Sequence, residues 1–239
     1  MYIYKNEKKF KKNKLMSQVL TGVSFGVLII GAVLAFSEQY FMYSFIALLT
    51  GVIISQLSIT LTTNWGREPS NDFIFNVKLK GLSDNFSIYH YMEPVNHLLV
   101  GTAGAFILLP CFQGGTIGYD EKKGRWTQKK ASFFMKIFGQ EGIGRPDLEA
   151  DAAIEAVKKY FAEKEIDFPA DAIHPVLVFI NPKSEIDPEA RFRYDTIPLD
   201  KIKDLIQKYA KENHFRCPAG RRLPDAIDQN QTTDRKSVV

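Results

Sequence analysis

Four histidines, two cysteines and a scattering of acids are the residues of this chain with the chemistry to act as nucleophile, base or metal ligand. His90, His97, His174 and His214 are dispersed, and no Ser/His/Asp or Cys/His grouping can be assembled around them. His97 opens an apolar run, so it is read as a hydrogen-bonded structural histidine and not as a base. Cys111 and Cys217 lack Cys-x-x-Cys or Cys/His spacing, which removes a recognisable zinc site and a disulfide framework; reduced structural thiols are expected. The glycine-rich segment GQEGIGRP (residues 139–146) precedes a helix signal, yet lacks the Gly-Lys-Ser/Thr ending that supplies a phosphate-binding lysine and a magnesium-binding hydroxyl. It is read as a structural loop. Glu93 and the acids from Glu141 to Asp151 are equally consistent with a solvated surface.

The elements that must carry these residues begin after a polar link at 62–69. Ser70, Asn71 and Asp72 form a helix start, but Phe73, Phe75, Val77 and Leu79 alternate as a strand would, so that segment stays open between the two. Short strands are expected at 86–91, 97–101, 105–109, 116–119 and 125–128, punctuated by Gly104, Gly114, Gly115 and Gly124. Pro146 with Asp147, Glu149 and Asp151 opens a helix carrying negative charge in its first turn. PVLVFINP (residues 175–182) reads as a buried strand. A last helix starts near Asp200, with Ile202, Leu205, Ile206, Tyr209 and Ala210 as its apolar stripe. Strands followed by helix, strand and helix predict an α/β domain over residues 70–215, with a disordered polar tail at 216–239.

Ahead of this domain lie two runs, residues 15–36 and 40–61, that contain no ionisable residue. Each is long enough to cross roughly 30 Å of hydrocarbon as a helix rising about 1.5 Å per residue. Only Ser37, Glu38 and Gln39 separate them, which predicts an antiparallel transmembrane hairpin over 15–61. Six lysines precede the first run and the short loop carries no positive charge, so residues 1–14 are expected to be a basic cytoplasmic N-terminus and the domain to return to the cytoplasm. Tyr40, Phe41 and Tyr43 suit the outer interface and Trp65 the inner one. A cleaved signal peptide does not fit a first run this long followed directly by a second. Gly22 with Gly26, and Gly51 with Ser55, have the spacing that lets helices approach closely, first within the hairpin and alternatively in a homodimer through Gly22 and Gly26. No charge lies inside either run to serve transport. The lysines are expected to adhere to an anionic leaflet of the lipid bilayer. Beyond residue 63 the chain keeps 25 basic and 25 acidic residues, so bulk charge gives no support for binding nucleic acid through its phosphates.

The stretch MEPVNHLLVGTAGAFILLPCFQGGTIGYDEKKGRWTQ (residues 92–128) resembles the core of the nuclease-related domain (NERD) family, a branch of the PD-(D/E)XK nuclease superfamily. The family pattern runs Asp-His, an apolar strand, a Gly-Pro-x-Gly turn, a second apolar strand, Glu-x-Lys, a glycine turn and a tryptophan. Here Asn96-His97 stands at Asp-His, Leu98 to Val100 fill the strand, Gly101 and Gly104 hold the turn, and Gly115 and Trp126 match the later part. The likeness extends from Asp72, where the family has a helix-borne Glu, to about Ile180, with Arg145 to Glu149 opening the next helix.

The resemblance implies a restriction-endonuclease-like mixed sheet with flanking helices and a magnesium-dependent site whose acid, glutamate and lysine correspond to Asn96, Leu109 and Cys111. Leucine supplies no ligand, asparagine only a neutral one, and a thiol replaces an ammonium poorly, so the site reads as dismantled. Asp72, Glu93, Asp147 and Glu149, with Glu141, are the acids from which a displaced site would have to be rebuilt. The expectation is a membrane-tethered, catalytically inactive binding or scaffolding module without a cofactor, its partner a protein or nucleic acid. The alternatives are a membrane-bound nuclease with a displaced metal site and non-catalytic nucleic-acid binding.

Overall fold

The computed structural model describes residues 1–101, 103–129, 142–212 and, as backbone, 234–237. It divides into two units: residues 7–74, and an α/β unit made of residues 1–6 together with 75–239. The helical unit is therefore inserted into the α/β unit after its first six residues.

In the helical unit α1 (Glu7–Leu34) and α2 (Phe41–Leu61) are joined by a tight turn at 35–40. The lysine-rich segment is thus the first turns of α1 and not a separate leader. The fully buried positions are Ser17, Ser24 and Gly31 on α1 and Ser44, Gly51 and Ser58 on α2. Both sets repeat every seven residues, the period at which two helices stay in register along a left-handed seam. Small side chains at those places let the backbones close. A Cβ on Gly51 would stand 2.7 Å from Leu28, and one on Gly31 3.0 Å from Leu48. Polar groups in the seam are paired across it: Ser44 Oγ donates to the Gly31 carbonyl at 2.8 Å, and the Thr21 and Ser58 hydroxyls lie 2.6 Å apart.

Gly51 packs as its spacing predicts, whereas Gly22 and Gly26 do not join the helices. Nothing lies within 4 Å of a Cβ at either. They stand two residues on either side of Ser24, roughly 200° around the helix and so opposite the seam. Many of the large apolar side chains between the seam positions, such as Phe25, Ile29, Leu49 and Ile53, point outward; only 17% of the most apolar window of α1 and 11% of that of the helical stretch containing α2 are covered by the rest of the chain. Both helices are long and apolar enough to cross a membrane, and neither is covered as a soluble core helix would be.

In the α/β unit, β1 (Tyr2–Lys5) pairs in parallel with β2 (Ser87–His90), Tyr2 opposite Ser87 and Lys5 opposite His90. The segment expected as a basic cytoplasmic N-terminus, residues 1–14, thus contains β1 and, from Glu7, the start of α1. Residues 2–5 alternate as a strand does: Ile3, with Met1, enters one apolar cluster and Tyr4 the cluster on the opposite face. β3 (His97–Gly101) and β4 (Gly104–Cys111) continue the sheet antiparallel, and β7 (Ile173–Phe179) and β9 (Asp195–Pro198) extend it in parallel beyond β4. β10 (Asp234–Ser237) pairs antiparallel with β1, so the sheet order is β10-β1-β2-β3-β4-β7-β9. That strand replaces the expected disorder at 234–237; the remainder of the tail lies outside the described residues. β5 (Gly115–Asp120), β6 (Arg125–Lys129) and β8 (Ser184–Ile186) form a second sheet in the order β6-β5-β8.

Helices cover both faces of the larger sheet. α4 (Pro146–Glu163) lays Ala153, Val157 and Phe161 on Leu98, Val100, Ala105 and Ile107. On the other face Phe75 and Leu79, from α3 (Asn71–Leu79), and Ile202 and Ile206, from α5 (Ile202–Glu212), pack on Phe106, Leu108, Val176 and Val178. The segment left open between helix and strand is α3. Its alternating residues separate into a fully buried pair, Phe75 and Leu79, and an exposed pair, Phe73 and Val77. Each buried pair member contributes on the order of 1.5–3 kcal/mol.

Candidate functional site

β4 holds two of the three positions singled out in the sequence, Leu109 and Cys111. Leu109 and Cys111 are two residues apart on one strand, so their side chains leave the sheet on the same face. The antiparallel pairing of β3 with β4 puts Leu98 opposite Ile107. Asn96 is exposed in the connection before β3, two residues ahead of that first pair. That connection is closed by the Tyr91 N–H donating to the Asn96 carbonyl at 2.6 Å. Leu109 and Cys111 thus share one strand face, and Asn96 stands on the connection that leads into the neighbouring strand.

Their chemistry is another matter. Leu109 is half-buried and packs against two apolar clusters, one containing Val157 and the other Cys111, Trp126 and Phe179. Cys111 is buried, and its thiol pKa is pushed up to about 12, mainly by loss of solvent and further by the negative charge of Glu149. It is a neutral thiol whose Sγ lies 3.8 Å from the Leu109 carbonyl it donates to. A divalent cation finds no anionic oxygen in this trio. Among the described residues no grouping of three or more His, Cys, Asp or Glu side chains could hold a metal ion.

The other acids expected as a residual site are only partly brought together. Asp147 is buried in the first turn of α4, with Oδ2 3.4 Å from the Arg145 guanidinium and Oδ1 buried without a hydrogen-bond partner. Glu149, one residue further than its neighbour Leu148, is near enough to act on Cys111. One turn on, Asp151 accepts from Arg193 at 3.0 Å and from the Tyr194 hydroxyl. Burial and that hydrogen bond raise the Tyr194 phenol. Glu93 is exposed in the connection between β2 and β3, and its charge adds to the burial that raises the Tyr160 phenol on α4. Asp72 is buried in the first turn of α3. Glu141, His214 and Cys217 lie outside the described residues.

The glycine loop before α4 is described from Gly142. Leu148 and Glu149 amides are turned back onto the Arg145 carbonyl, and two carboxylates stand in the same helical turn, an arrangement that repels phosphate.

Two groupings escaped the sequence. His90 and His97 face one another across β2 and β3, both buried, with Nδ1 atoms 2.8 Å apart and His90 Nε2 2.9 Å from Asn76 Oδ1. If Asn76 accepts through Oδ1, His90 Nε2 carries a proton and neutral His90 accepts at Nδ1 from His97 Nδ1. His97 is hydrogen-bonded as expected; its partner was hidden because the hairpin register, not the spacing, pairs the two. The second grouping joins β7, β9 and α5. The Tyr209 hydroxyl donates to Asp195 Oδ2 at 2.8 Å, and the His174 ring lies 4.6 Å from that of Tyr209. Burial lowers the His174 pKa against the opposing pull of Asp195 and Asp171, while burial and the bond to Asp195 push Tyr209 up to about 12.

Comparison with protein-family models, with curated proteins and with solved structures finds no match.

Proposed function

We propose that this chain is a membrane-tethered, non-catalytic binding or scaffolding module whose α/β unit resembles a nuclease-related domain with a dismantled metal centre and faces the cytoplasm. The observation that carries the non-catalytic part is the chemistry of the trio: Asn96, Leu109 and Cys111 offer an amide, a hydrocarbon and a thiol held neutral. A magnesium nuclease needs carboxylates there to hold the cation and orient water. The tether is supported by α1 and α2, whose outward apolar surface matches lipid better than water. Both ends of the hairpin return to one side of the membrane in this reading, because β1 precedes it, β2 follows it and the two strands are hydrogen-bonded neighbours. The lysines of α1 select the cytoplasmic side. The partner is a protein or a nucleic acid, and Gly22 and Gly26, open on the outer face of α1, remain available to a second copy.

Asp147 supports one alternative, a displaced nuclease centre, because a buried carboxylate oxygen without a partner is a ligand in waiting. The two readings separate in one assay. The detergent-solubilised full chain is expected to cleave neither DNA nor RNA with magnesium or manganese. The variant Asn96→Asp/Leu109→Glu/Cys111→Lys is expected to bind manganese at least tenfold more tightly than the parent. Metal-dependent cleavage by the parent, abolished by Asp147→Ala or Glu149→Ala, would overturn the non-catalytic reading.

A further inference from the structure

Among the described residues beyond the hairpin helices, three large apolar side chains are exposed: Phe73 at 57%, Val77 at 53% and Leu148 at 48%. Two of the three stand one turn apart on α3, which starts only nine residues after α2 ends. The opposite side of α3 is occupied by Phe75 and Leu79, both fully buried. The helix is therefore apolar on two sides, and its own fold covers one. Polar residues would be expected at 73 and 77 if that face met bulk water. Lys80, exposed just past the outer pair, has a stem able to lie along an apolar surface while its ammonium reaches phosphate or water, whereas the Lys78 ammonium is paired with Asp200.

We infer that the Phe73–Val77 face of α3 is a docking surface for the acyl–headgroup boundary of the bilayer. This inference rests on the proposed membrane tether. Continuity selects the lipid: the face follows directly on a helix apolar enough to span, and the intervening segment carries Trp65, a residue suited to the interface. A short helix with two exposed apolar side chains and a lysine beside them suits the interface plane and is too short to cross.

The test uses the full chain with Cys217→Ser, in vesicles of phosphatidylcholine with phosphatidylglycerol. Buried Cys111 stays unlabelled. An environment-sensitive fluorophore is placed in turn on Phe73→Cys, Val77→Cys, Leu49→Cys in α2 and Lys159→Cys on the exposed side of α4. The expected result is strong quenching at 73 and 77 by lipids spin-labelled near the headgroup, at 49 by lipids labelled deep in the acyl chain, and at 159 only by an aqueous quencher. If 49 is lipid-quenched while 73 and 77 respond like 159, the inference fails and the tether stands. If 49 is not lipid-quenched either, the tether itself fails. Shielding of 73 and 77 from both kinds of quencher would assign the face to a protein partner or a second copy and overturn the lipid assignment.

Discussion

At residue scale Cys111 is a buried, neutral thiol among apolar neighbours. An ammonium at this place would have to be buried beside Leu109 and against an apolar cluster, a cost that only a nearby carboxylate offsets. Beside Leu109, which carries no charge, a neutral side chain is what this position tolerates. Folded Cys111 should resist alkylation at pH 8 and react at the normal rate in denaturant. Its pKa, raised from 9.0 to about 12, means that an unfolded chain ionises first, so stability should fall as pH rises past 9. His174 acts at the other end: its folded pKa is lowered below 6.5, the unfolded chain takes up the proton first, and stability should fall as pH drops below that value. Thermal unfolding across pH 5 to 10 checks both limbs, and His174→Phe should flatten the acid one. A profile flat from pH 5 to 10 would contradict both environments.

At the scale of elements, β2 to β7, α4 and the stripe of α5 were legible because short apolar runs bounded by turn residues, or one helical period, mark each of them. Ile202 and Ile206 are buried where the stripe puts them. The second pairing state of residues 73–79 was not legible: four alternating apolar residues fit a strand, and only the burial of Phe75 and Leu79 against a sheet decides for helix. β9 was missed because all four of its residues are half-buried at one side of the sheet and show no alternation. The candidate trio was found by resemblance; its neighbours Glu149 and Val157 come from α4, about 40 to 60 residues away in sequence, and no local pattern encodes that approach. Small residues misled in one case. Gly22 and Gly26 have the right spacing on the wrong face, whereas Gly31 and Gly51 carry the helix contact. Gly51→Leu should therefore separate α1 from α2 and destabilise the hairpin, measured as lost protease resistance in detergent, while Gly26→Leu should leave it unchanged. The reverse order would place the seam elsewhere.

At the scale of the whole chain, the sheet is completed only by a strand that lies before the helical hairpin. A shortened chain starting at residue 70 lacks β1 and leaves one side of β2 unpaired, exposing Ile88 and Tyr89 neighbours that β1 would cover. Such a chain should aggregate, and replacing residues 7–70 by a flexible glycine-serine linker, which retains β1, should restore a soluble, cooperatively unfolding domain. Equal behaviour of the two would mean that β1 adds nothing to the sheet.

The same insertion is the basis of the proposed topology. Two strands of one sheet cannot lie on opposite faces of a bilayer, so the hairpin either crosses twice or not at all, and the central claim reduces to where its tip is found. In intact cells, with Cys217→Ser as background, a membrane-impermeant maleimide should label Glu38→Cys from outside and should reach Lys159→Cys only after permeabilisation. Labelling of Lys159→Cys in intact cells, or protection of Glu38→Cys until the membrane is opened, would contradict the account.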